Sequence, residues 1–98
     1  MDVGKLGERP IKPPARALTM ARNDNVALVL RDVKAGEAVV LAGGQVEIAA
    51  QDIPMGYKIA TQTLVVGQAV IAQGQIIGTA ARLIQPGEHV HHHNLRAA

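Results

Sequence analysis

All four histidines of the chain lie within five residues: Gly87-Glu88-His89-Val90-His91-His92-His93-Asn94-Leu95. Imidazole changes charge near neutral pH, and in its neutral form it is the commonest protein ligand for metals. Spacing decides what such a tract can do. In an extended strand successive side chains alternate faces, so His89, His91 and His93 are expected on one face, with Val90 and His92 on the other. Same-face neighbours then stand about 6.5–7 Å apart, so that two rings can reach one metal ion or one bound anion. Val90 interrupts the run and Asn94-Leu95-Arg96 follow it, unlike the uninterrupted run of a purification tag. The plain alternatives are a solvated polar end and adventitious metal binding by a histidine-rich tract.

A recurring phrase must position this tract. Val33-Lys34-Ala35-Gly36, Ile53-Pro54-Met55-Gly56, Leu64-Val65-Val66-Gly67 and Ile84-Gln85-Pro86-Gly87 each place a hydrophobe three positions before a glycine, and each leads, after two intervening residues, into another hydrophobe. Glycine admits a positive φ at little steric cost, so each phrase reads as a turn between short strands. The glycines are spaced 20, 11 and 20 residues apart, which pairs Gly36 with Gly67 and Gly56 with Gly87 at an offset of 31. Ala38/Ala69, Val39/Val70, Gly43/Gly74, Ala49/Ala80 and Ile53/Ile84 match at the same offset. The chain therefore reads as an internal duplication of residues 31–61 and 62–92. The offset sets Lys58 against His89, and the turns after Gly56 and Gly87 are expected to face a common cleft. A merely solvated Lys58 is the alternative.

Around these phrases the chain predicts short strands and little helix. Ala17-Leu18-Thr19-Met20 is a strand candidate, Asn23-Asp24-Asn25 a turn, and Val26-Ala27-Leu28-Val29-Leu30 a buried strand. Longer loops are expected around Ala42-Gly43-Gly44 and Gln73-Gly74-Gln75, while Thr79-Ala80-Ala81-Arg82 continues a strand. The sum is an all-β domain over residues 17–98. Residues 1–16, ending Arg9-Pro10-Ile11-Lys12-Pro13-Pro14-Ala15-Arg16, read as a flexible basic arm, because proline suits neither helix nor central strand.

Composition narrows the function. The 98 residues form one small domain with 48% hydrophobic residues but a single aromatic one, Tyr57. A core of Val, Ile, Leu and Ala alone supplies limited stability, so a partner or a homo-oligomer is expected. The net charge of +2 comes without stacking aromatics, which argues against nucleic-acid binding. There is no cysteine, hence no disulfide framework and no thiolate metal site. No apolar run approaches a membrane span and no signal-peptide core is present, so a cytoplasmic protein is expected.

The phrases, in their order, resemble the SAF domain of the altronate/galactarate dehydratase family. The resemblance runs from about Ala17 to Leu95. It is carried by Asp24-Asn25-Val26-Ala27, Asp52-Ile53-Pro54-Met55-Gly56-Tyr57-Lys58, Gly74-Gln75-Ile76-Ile77-Gly78-Thr79-Ala80 and, most specifically, Gly87-Glu88-His89-Val90-His91-His92-His93-Asn94. It implies a β-clip fold with an internal pseudo-two-fold. It also implies the dehydration of sugar acids with a divalent metal, ferrous iron (Fe2+) being typical, held mostly by a large catalytic partner and not required by the isolated chain. The chain looks like the small subunit of a split enzyme, inert alone. A related possibility is the alpha subunit of sulfolactate sulfo-lyase, which eliminates sulfite. Another is a non-catalytic SAF-type ligand-binding or assembly module, and a third is a free-standing histidine-rich metal carrier.

Elimination from a hydroxy acid needs removal of the proton next to the carboxylate, stabilisation of the resulting charge and protonation of the leaving group. On this reading His89, His91 and His93 are the catalytic candidates. His91 and His93 are also the candidate metal ligands, Lys58 contacts a substrate carboxylate, and Asn94 bonds a hydroxyl or caps the turn. Three positions depart from the family pattern: Tyr57 where a histidine is common, Gln73 where a tyrosine often stands, and His92 where a small residue is usual. These departures bear on substrate and activity.

Overall fold

The computed structural model describes residues 13–98. Residues 1–12, most of the expected arm, lie outside the described residues. The chain begins its first strand, β1, at Ala15–Leu18. That is two residues before the boundary expected at Ala17. Ala15 pairs with Val39 and is buried, and this pairing recruits the last residues of the proline-rich stretch into the sheet.

Eight further strands follow: β2 (Val26–Val29), β3 (Ala38–Val40), β4 (Val46–Ile48), β5 (Lys58–Ala60), β6 (Ala69–Ala72), β7 (Gln75–Ala80), β8 (His89–Val90) and β9 (Leu95–Ala97). Among the described residues there is no α-helix, only a 3-10 turn at Ala42–Gly44. The domain is all-β, as expected. One sheet has the order β4-β3-β1-β2-β5-β8 and the other β6-β7-β9. Pairing is antiparallel except between β1 and β3. In β2, Val26, Ala27 and Val29 are all buried. A strand covered on both faces reads as a continuous aliphatic run, not as an alternation.

The duplication is present atom by atom. Each of the four glycine phrases closes a type II turn, with the N–H after the glycine donating to the carbonyl three residues back: Glu37 to Lys34 (3.0 Å), Tyr57 to Pro54 (3.0 Å), Gln68 to Val65 (2.9 Å) and Glu88 to Gln85 (3.1 Å). This turn needs a positive φ at its third residue, and Gly36, Gly56, Gly67 and Gly87 supply it at 83–93°. The isolated bridges Val33↔Ile53 and Leu64↔Ile84 are the same bridge displaced by the offset. The two cores also superpose in sequence. Val33, Val39, Leu41, Ala49, Ile53 and Ile59 lie in one cluster, and Leu64, Val70, Ala72, Ala80, Ile84 and Val90 take their places in the other.

Asp24 and Asn25 join the smaller sheet to the larger. The Asp24 carboxylate accepts from the backbone N–H groups of Met20, Ala21, Gln73 and Gly74 at 2.8–3.2 Å. Burial alone would raise its pKa, but these four donors outweigh burial and hold it below the ordinary carboxylate value. Asn25 accepts from Ile71 N–H (2.8 Å) and donates to the Ala69 carbonyl (2.9 Å), which fixes β6. Gln73-Gly74 is not a long loop. It is a two-residue hairpin turn between β6 and β7 with both φ values positive (53° and 77°), and the Asp24 carboxylate secures it. At the equivalent place in the first half the 3-10 turn joins β3 to β4.

Candidate functional site

The site is built where the two halves meet. β5 and β8, equivalent strands of the duplication, pair antiparallel with Ile59 opposite His89 and Lys58 opposite Val90. Ile59 and Val90 point into the two cores. Opposite residues of an antiparallel pair share a face, so His89 lies on the side of Ile59 and Lys58 on the side of Val90, both half-buried. The His89 N–H is anchored on Gln51 Oε1 at 2.8 Å.

After Val90 the chain does not stay extended. It turns at His91, whose carbonyl accepts from Asn94 N–H (3.1 Å) and Leu95 N–H (2.9 Å). The side chain of Asn94 writes this turn. Its Oδ1 accepts from His91 N–H at 2.9 Å and its Nδ2 donates to the His89 carbonyl at 2.9 Å. Asn94 is fully buried. Of its two expected roles it takes the turn cap.

The histidines gather nonetheless. The rings of His89 and His91 stack nearly parallel (5°) with centroids 5.5 Å apart, and His93 lies 5.6 Å from His89. His92, expected on the opposite face, packs 3.9 Å from His91, because a turn does not alternate as a strand does. Tyr57, from the turn before β5, meets His91 at 4.9 Å and His89 at 5.5 Å, edge-on to both. The His89 Nε2 is buried without a hydrogen-bond partner among the described residues. Such an orphan marks a place where a ligand or proton partner belongs.

The electrostatics favour neutral rings at His89 and His91. Burial comes first, then the neighbouring His91, His93 and Lys58 charges, in holding His89 below the ordinary histidine value. His91 is lowered by burial, then by His92, Lys58 and His93. The ion pairs among the described residues, Arg31–Glu37 and Lys34–Asp52, do not involve this cluster. Neutral imidazoles beside a lysine can accept a proton and attract a carboxylate.

Residues 15–98 match the family model described as the altronate/galactarate dehydratase SAF domain. The chain belongs to this family. It is also 39% identical over 75 residues to altronate dehydratase of Bacillus subtilis (strain 168), an alignment covering 76% of this chain and 15% of that protein. The SAF domain thus spans a small part of the curated relative it matches.

Among the described residues no three His, Asp or Glu side chains converge on one point. Glu88, the carboxylate nearest in sequence, is engaged with Gln85 N–H at 2.7 Å. No helix among the described residues is long and apolar enough to cross a membrane. Sequence reasoning brought His89, His91, His93 and Lys58 together. It treated Tyr57 as a departure and left it out of the site. The signal that could have found it is Pro54, discussed below.

Proposed function

We propose that this SAF domain is the small-subunit part of a sugar-acid dehydratase of the altronate dehydratase type, with its histidine cluster bordering an elimination site that a large catalytic subunit completes. The observation that supports this is the gathering of the His89, His91 and His93 rings at β8 and the turn after it, with Lys58 close enough for its charge to act on His89 and His91, and the His89 Nε2 unpartnered among the described residues. Lys58 offers a point charge to the substrate carboxylate. A neutral imidazole takes the proton next to that carboxylate, and the departing hydroxyl leaves as water once protonated. A divalent ion, Fe2+ in this reading, belongs to the large subunit and supplies charge stabilisation for the enolate-like state. The setting is the cytoplasm, and the domain alone is inert.

The test uses the reconstituted complex. His91→Ala with His93→Ala should lower dehydratase turnover by about 100-fold or more while the complex stays assembled on gel filtration. Loss of assembly with these substitutions would instead assign the cluster to docking, as in a non-catalytic module. Sulfite release from sulfolactate, without dehydration of sugar acids, would place the chain with the sulfo-lyases.

A further inference from the structure

The four glycine turns are copies of one device, and comparing them isolates a residue released from structural duty. In three copies the residue after the glycine folds a side-chain oxygen back onto the first N–H of its own turn. Glu37 Oε1 accepts from Lys34 N–H (2.7 Å), Gln68 Oε1 from Val65 N–H (3.0 Å) and Glu88 Oε2 from Gln85 N–H (2.7 Å). In the remaining copy that first residue is Pro54. Proline has no N–H, so the turn offers no donor and the position after Gly56 has nothing to cap.

The residue released there is Tyr57, the one aromatic side chain of the protein. It belongs to neither core and is 39% exposed. Its ring stands edge-on to His89 and His91 at interplanar angles of 66° and 64°, while those two rings lie parallel. Edge-to-face contact is a preferred arrangement of aromatic rings, and one tyrosine making it twice defines the orientation of both partners.

We propose that Tyr57 is a positioning residue of the histidine site, holding the His89 and His91 imidazoles parallel. Its catalytic consequence rests on the dehydratase reading, whereas the positioning itself does not.

The experiment compares Tyr57→Ala, Tyr57→Phe and the double variant Pro54→Gln/Tyr57→Glu, which rebuilds the turn in the pattern of Gln85 and Glu88. Nuclear Overhauser contacts and imidazole ring-proton shifts are read in the full chain at fixed pH. In Tyr57→Phe the contacts from residue 57 to both imidazoles persist. In Tyr57→Ala and in the double variant the His89 and His91 ring signals shift and their mutual contact is lost, while the double variant keeps the unfolding temperature of the parent. In the reconstituted enzyme Tyr57→Ala lowers kcat by about 10–100-fold, the cost of a misplaced catalytic group, and Tyr57→Phe restores most of it. Persistence of the His89–His91 ring contact in Tyr57→Ala would overturn the proposal, as would a collapse of the double variant's unfolding temperature. A wild-type assembly without dehydratase activity would count against the dehydratase reading alone, and the ring signals would still decide the positioning.

Discussion

Asn94 carries more of the site than any histidine does, although it touches no solvent. Its two side-chain bonds satisfy the His91 N–H and the His89 carbonyl, and both groups lose their partner if the amide is removed. A buried backbone group left unpaired costs about 1–3 kcal/mol, so Asn94→Ala is expected to destabilise the domain by about 2–4 kcal/mol in urea unfolding. The lowered pKa values of His89 and His91 make a second prediction. Unfolded histidine titrates near 6.5, and the folded rings resist protonation at that pH. Below about pH 6.5 the unfolded chain therefore binds more protons than the folded one. The stability gained by keeping the rings neutral is complete above that pH and is lost as the pH falls toward the lowered folded values. The urea midpoint should drop between about pH 8 and pH 5, and His89→Gln with His91→Gln should flatten the drop. At this scale the sequence revealed which residues gather, because all four histidines are adjacent. It concealed how they gather. Strand alternation predicts one face, but the Asn94 amide selects a turn, and that choice depends on burial that spacing does not display.

The glycine turns are the elements that hold the site, and they are not equally tolerant. A Cβ on Gly87 would stand 2.1 Å from the Ile48 carbonyl oxygen, whereas one on Gly56 would meet nothing within 4 Å. Gly56→Ala should therefore cost only the left-handed strain, about 1–2 kcal/mol. Gly87→Ala adds a backbone clash and should displace the turn before β8 from Ile48, costing clearly more in the same thermal or urea unfolding experiment. These turns were the most legible elements of the sequence, since the same hydrophobe and glycine recur in them at a constant offset. The released position after Gly56 was legible only in principle. Pro54 removes the donor, but the need for that donor emerges when Glu37, Gln68 and Glu88 are seen serving it elsewhere. The tight Gln73-Gly74 turn was hidden for another reason. A glutamine at positive φ is held there by Asp24, 49 residues away.

The molecule as a whole is two similar halves joined edge to edge through β5 and β8, and the site sits at that join. This architecture was readable because the same core positions recur at a constant offset, from Val33/Leu64 to Ile59/Val90. What completes the site was not readable, because a short chain with stacked imidazoles and a lysine names a chemistry without supplying all its groups. The central claim is that the histidine cluster serves a sugar-acid elimination together with a large catalytic subunit. The most direct measurement is to co-purify the chain from its native source at moderate salt without chelator, and to assay the recovered material on a panel of sugar acids and sulfolactate. The account predicts a stoichiometric large chain and dehydration of a sugar acid, with neither chain active alone. Recovery of the chain by itself or as a homo-oligomer, with no lyase activity, would contradict it.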